Sequence, residues 1–174
     1  MTTISTNLQA VRARIAAAAQ LAGRAVEDIR LLAVSKTFPP ERIREAALAG
    51  QIAFGENYLQ ESLGKIAALA DLGLEWHFIG PLQSNKTRPV AEHFSWVHGI
   101  ERLKIAERLS AARGPARPPL QVCIQVNVSG EASKSGVSPG ETAALAQAVA
   151  ALPNLKLRGL MAIPEPHPDP EHRR

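Results

Sequence analysis

Cysteine, aromatic rings and long apolar runs are all scarce in this sequence, and each scarcity closes off a class of function. Cys123 is the only cysteine, so no disulfide can form within the chain and no cysteine-based redox pair is available. It sits in the apolar run Leu120–Val128, where a buried, inert thiol is expected. Phe, Trp and Tyr make up 4% of the residues, too few to furnish the stacking platforms that single-stranded nucleic acids need. No apolar stretch approaches the roughly 20 residues required to cross a bilayer. The opening, MTTISTNLQAVRAR, has no apolar centre of the signal-peptide kind. A cytoplasmic protein without membrane association is therefore expected.

Charge of one sign is not concentrated either. The formal net charge is +4, and Arg12, Arg14, Arg24, Arg42, Arg44, Arg102, Arg108 and Arg113 are dispersed along predicted helices. That pattern describes solvated helix faces and argues against nucleic-acid binding. Also missing are the GxGxxG fingerprint, a P-loop, HExxH, a Ser-His-Asp ordering and any carboxylate pair that stands out. Hydrolase and metal chemistry are not expected. His167 and His172 lie in the closing PEPHPDPEHRR, where proline at every second position from Pro164 to Pro170 forbids helix and ladder pairing alike. Residues 164–174 read as a loop or tail.

What is present is a repeating alternation within one domain spanning 1–174. Ile4, Leu8, Val11, Ile15 and Ala19 recur at helical spacing and predict an amphipathic first helix ending near Gly23. Six strand-like runs follow: 31–36, 51–55, 75–80, 96–100, 120–128 and 155–163. Helices are expected between them. One starts at the prolines before Glu41 and ends at Gly50. Another covers 57–70 with Leu59, Leu63, Ile66 and Leu69 as its buried stripe. The rest cover 84–93, 101–112 and 139–151, with Pro89 marking a late start or a kink in the first of these. Strands alternating with helices imply parallel pairing through right-handed crossovers. The absence of a dinucleotide fingerprint favours a TIM-type (β/α)8 barrel, with about six of its eight strands present and something missing at the C-terminal end.

Functional groups of such barrels collect at the C-terminal ends of strands. Lys36 ends the run LLAVSK, where its amine is expected to lean over the barrel mouth above Leu32 and Val34. Partial desolvation there would favour the free amine and Schiff-base chemistry with aldehydes; a lysine pointing into water is the alternative. Asn57, Gln83 to Asn85, Gln125 and Asn127 place uncharged polar groups at other strand ends, suited to orienting a neutral ring or to capping helices and loops. The loop Ser129–Gly136 is small, polar and bounded by glycine, but without phosphate-loop spacing it reads as an ordinary connection.

The segments AVSKTFP, FGENYLQE, WHFIGPLQSNK, WVHGIERLKIAERL, QVNVSGEASKSG and RGLMAIP, in this order, resemble the pyridoxal phosphate homeostasis protein family across nearly the whole chain. The resemblance implies a barrel like the N-terminal domain of alanine racemase. It implies pyridoxal 5'-phosphate held as a Schiff base on Lys36, with Asn57 and Met161 near the cofactor. It implies a carrier or buffer of the reactive aldehyde without established turnover; apoenzymes that depend on the cofactor are the expected partners, and a monomer is expected. Racemases of this fold take an acid/base tyrosine from a second, β-rich domain, whereas this sequence has only Tyr58. A racemase-like enzyme lacking that domain is the alternative. Relatives continue for about fifty or sixty residues that supply the last strands and the phosphate-gripping loops, so cofactor binding by this chain alone is expected to be weak.

Overall fold

The computed structural model describes residues 3–131 and 134–165. The closing residues 166–174, including His167 and His172, lie outside the described residues, as do Ala132 and Ser133 of the glycine-bounded loop. The chain divides into two units, 1–76 and 77–174.

The first unit opens with α1 (Ile4–Leu21), whose N-cap Thr3 accepts a hydrogen bond from the Thr6 amide. The expected apolar stripe is only partly used, since Ala19 is buried while Val11 stays exposed. α1 is held to the next helix by polar contacts as well. Arg12 donates to the carbonyls of Ala49 and Gly50, capping the C-terminus of α2 (Pro40–Leu48) where the helix leaves carbonyls unpaired. Pro40 at the first position and Gly50 with φ 84° beyond the last turn punctuate α2 as the sequence predicts.

Strand β1 (Ala33–Val34) pairs in parallel with β2 (Ala53–Glu56), Ala33 beside Phe54 and Val34 beside Gly55. β1 is shorter than the predicted 31–36. Val34, expected to fill an interior, is 49% exposed. Phe54 packs under α1 and α2 and tilts against Trp76, 6.0 Å between ring centroids. α3 (Leu59–Ala68) follows β2. Its buried residues are Leu59, Ser62 and Lys65, with Leu63 and Ile66 of the expected stripe only half-buried.

Strand β3 (Glu75–Phe78) begins in the first unit and ends in the second. The Ser84–Lys86 turn then leads into α4 (Thr87–His93). Pro89 is the third residue of that helix, where its missing N–H would have no partner in any case, so it marks a late start and not a kink. β4 (Trp96–Ile100), α5 (Leu103–Arg113), β5 (Leu120–Val126), α6 (Pro139–Ala150) and β6 (Leu155–Ala162) complete the second unit.

Every strand pairing recorded is parallel, and the strands follow chain order. That is the βα succession of a (β/α)8 barrel. The core of the second unit is aliphatic, with Val97, Ile100, Leu109, Leu120, Val122 and Ile124 fully buried and Phe78 edge-on to Phe94 at 5.4 Å. Arg113, itself buried, donates to the carbonyls of Ala91, Phe94 and Pro118 at 2.6, 2.7 and 2.8 Å, closing α4 from outside its own sequence. Cys123 is buried, and its desolvation pushes the thiol pKa up. This agrees with an inert thiol. Among the described residues no helix is long and apolar enough to cross a membrane.

Candidate cofactor-binding site

Lys36 stands just past the end of β1, on a tight turn in which the Phe38 amide donates to the Ser35 carbonyl at 3.1 Å. The third residue of the turn, Thr37, has φ 69°. A left-handed backbone costs an L-residue roughly 1–2 kcal/mol, and a β-branched side chain is out of place there. Such a turn persists only if its surroundings hold it.

A buried polar network in the same unit does so. Lys65 Nζ, on α3, donates to the Ser35 carbonyl at 2.8 Å and to both carboxylate oxygens of Glu56 at 2.9 and 3.1 Å. It also donates to Glu61 one turn earlier on the helix. Ser35 Oγ donates to Glu56 Oε1 at 2.6 Å. Glu61 Oε1 accepts the Thr37 amide at 2.7 Å. The side chains of Glu56 and Lys65 are 0% and 4% exposed; Glu56 is thus a buried acidic group paired with Lys65 and hydrogen-bonded by the Ser35 hydroxyl, the arrangement such burial requires. The Lys65 ammonium, and secondarily the Thr37 amide, holds the Glu61 carboxyl below the usual carboxylate range.

Residues on either side of Lys36 are therefore fixed from α3 and β2, while Lys36 itself is exposed and its amine has no partner among the described residues. This corrects the expectation of a partly desolvated lysine. Shielding from water does not single Lys36 out, because β1 ends early and Val34 beside it is open. The desolvated lysine of the unit is Lys65, and its ammonium is committed to two carboxylates and a carbonyl. The expectation that no carboxylate pair stands out is corrected too, since Glu56 and Glu61 converge on one cation.

Asn57 directly follows β2. The Ser35 amide donates to the Gly55 carbonyl at 2.9 Å, so the turn that carries Lys36 leaves β1 beside Gly55 near the end of β2, two residues before Asn57. Asn57 does not cap the following helix, whose N-cap is Tyr58 with no side-chain bond. Its Oδ1 is buried without a hydrogen-bond partner, an acceptor the fold leaves unused.

Met161 belongs to the second unit, half-buried on β6 and paired in register with Gln125 of β5. Gln125 and Asn127 serve their own loop: Gln125 donates to the Ser135 carbonyl at 3.1 Å and Asn127 to the Glu131 carbonyl at 2.8 Å. Gly136, with φ 122°, lies so close to Val126 and Asn127 that a Cβ would sit 2.7 Å from the Asn127 nitrogen. In the same unit His77 and His98 share a hydrogen bond at 2.9 Å, and Trp96 stacks on His77 with ring centroids 5.2 Å apart. Burial holds the His98 pKa below the usual histidine range.

Comparison with known proteins places these features in a family. Residues 6–173 match the alanine racemase N-terminal domain. Over 166 residues the chain is 66% identical to the pyridoxal phosphate homeostasis protein of Pseudomonas aeruginosa, across 95% of this chain and 72% of that protein. This chain belongs to the pyridoxal phosphate homeostasis protein family. The Escherichia coli member is 59% identical over 169 residues, covering 95% of this chain and 72% of its own length. Among solved structures, PipY from Synechococcus elongatus with PLP bound superposes with a TM-score of 0.72 at 38% identity, covering 86% of this chain and 70% of that one.

The residues of the first unit fit a ligand of the kind that gives the family its name. An aldehyde needs an accessible amine, which Lys36 offers and Lys65 does not. A heteroaromatic ring with polar substituents needs hydrogen-bonding capacity the fold has not spent, and Asn57 has it. Ser35, Glu56, Glu61 and Lys65 escaped the sequence reading. Glu61 and Lys65, four apart on one helix face, were the available signal.

Proposed function

We propose that this protein binds pyridoxal 5'-phosphate covalently through Lys36 and acts as a carrier or buffer of the cofactor, not as an enzyme that turns over a substrate. The observation that carries the reading is an exposed amine, without a partner among the described residues, on a turn whose neighbouring residues are held by the buried Lys65 on one side and by the part-exposed Glu61 on the other. The relatives' name and the PLP-bound PipY structure support it.

When bound, the cofactor supplies an aldehyde that condenses with a primary amine, releasing water and leaving a C=N bond exchangeable with incoming amines. Lys36 supplies that amine. Asn57 contributes a hydrogen-bonding group at the end of the neighbouring strand. Lys65 does not compete for the aldehyde, because its nitrogen is buried and engaged by Glu56, Glu61 and the Ser35 carbonyl.

The test is to add pyridoxal 5'-phosphate, reduce with borohydride and map the modified peptide. Reduction makes the attachment permanent, so even weak binding is scored. The label is expected on Lys36 and is expected to vanish in Lys36→Ala. Labelling at Lys65 in preference to Lys36, or equal labelling of exposed lysines at large, would overturn the reading. Assaying the unreduced protein in the presence of pyridoxal 5'-phosphate for amino-acid racemisation separates a carrier from a racemase-like enzyme: no turnover is expected, and measurable racemisation abolished by Lys36→Ala would replace the carrier role.

A further inference from the structure

The Lys36 turn is fastened at two points, and only one of them is a buried ion pair serving the fold. Ser35 is held by Lys65 and Glu56, all three of them buried. Beyond the Phe38–Ser35 hydrogen bond that closes the turn, Thr37 is held by Glu61, whose side chain is 34% exposed and reaches back 24 residues to one backbone amide. That amide belongs to the residue with φ 69°. Without an acceptor at that spot, threonine returns to negative φ, and the peptide that positions residue 36 turns with it.

We propose that Glu61 is a positioning residue for Lys36: its carboxylate, acting through the Thr37 backbone, holds the turn in the form that presents the Lys36 amine for cofactor attachment. This rests on the attachment at Lys36 proposed above. Glu61 is suited to the task because Lys65 keeps it ionised and aimed, so the buried ion pair and the turn are coupled through a single carboxylate.

The experiment compares wild type, Glu61→Ala, Glu61→Asp, Thr37→Gly and the combinations of Thr37→Gly with each Glu61 variant. Attachment of pyridoxal 5'-phosphate at Lys36 is titrated by borohydride trapping, and thermal unfolding is recorded in parallel. Glu61→Ala is expected to weaken apparent affinity roughly tenfold, the scale set by the left-handed penalty at a β-branched residue. Glu61→Asp keeps a negative charge near Lys65 while drawing the carboxylate back by one methylene from the Thr37 amide and from Lys65, which share Oε1. It is expected to preserve thermal stability and lose attachment to a similar degree, and it decides the matter if Glu61→Ala fails to fold.

Glycine adopts positive φ without strain, so Thr37→Gly should restore most of the lost attachment in either Glu61 background. A role confined to stability would not show that rescue. Loss that follows the unfolding temperature and is indifferent to Thr37→Gly overturns the proposal, as does undiminished attachment in the Glu61 variants. Wild type that takes no label at Lys36 overturns both this inference and the attachment beneath it, whereas a labelled wild type with equally labelled variants overturns only the role of Glu61.

Discussion

Lys65→Met keeps the length of the side chain and removes its charge, leaving Glu56 fully buried with only the Ser35 hydroxyl to answer it. Breaking a buried pair from one side costs about 3–5 kcal/mol, because the remaining charge has neither water nor a counter-ion. The Ser35 carbonyl loses its 2.8 Å donor in the same substitution. In a chain of this size each kcal/mol shifts the melting temperature by about 2–4 °C, so a drop of roughly 6–20 °C is expected. Circular dichroism melting at neutral pH measures it. The double variant Glu56→Gln/Lys65→Met removes both charges while leaving Ser35 an amide to bond. It should recover much of the loss, since neutral replacements for a buried pair are often harmless. A single variant within about 1 kcal/mol of wild type, or a double variant no better than the single, would refute the view that α3 is anchored by this pair.

Arg113→Met leaves the carbonyls of Ala91, Phe94 and Pro118 without their donor and should cost about 2–4 kcal/mol in chemical denaturation. Gly136→Ala drives a Cβ to 2.7 Å from the Asn127 nitrogen at a φ of 122°; the expected result is faster proteolytic cleavage between Asn127 and Val137, with Gly140→Ala, which meets nothing within 4 Å, as the silent control. Cys123 should be unreactive toward thiol reagents in the folded protein and become reactive in step with unfolding. His98 has its folded pKa lowered by burial, so its contribution is complete above the unfolded value near 6.5 and is lost as pH falls through the lower folded value. Thermal stability should decline on acidification below about pH 6, and decline less in His98→Gln.

The order of strands and helices was legible because it is written in local signals. Pro40 and Gly50 bracket α2, Pro139 opens α6 behind a Ser138–Glu141 capping box, and short apolar runs bounded by turn residues mark the strands. The buried face of α3 was not legible, since periodicity counts apolar side chains and assigns lysine to the surface. Lys65 goes inward because Glu56, on a different element, is already there. Thr37 was equally hidden: nothing in Ser35-Lys36-Thr37-Phe38 announces a left-handed residue, which normally asks for glycine or asparagine, and the group that stabilises it lies on the following helix.

Lys36 was found from its place at a strand end and from family resemblance, but the physical reason first attached to it, shielding from water, does not survive the structure. The buried and the exposed lysine divide two requirements that one residue could not meet together. An amine sunk among carboxylates can hold a turn rigid but is not free to condense with an aldehyde. An amine in the open can condense, and can be relieved of its load by another amine, but has no surroundings of its own to orient it. Placing Lys36 between two backbone positions fixed by Lys65 and Glu61 gives an accessible group a defined position.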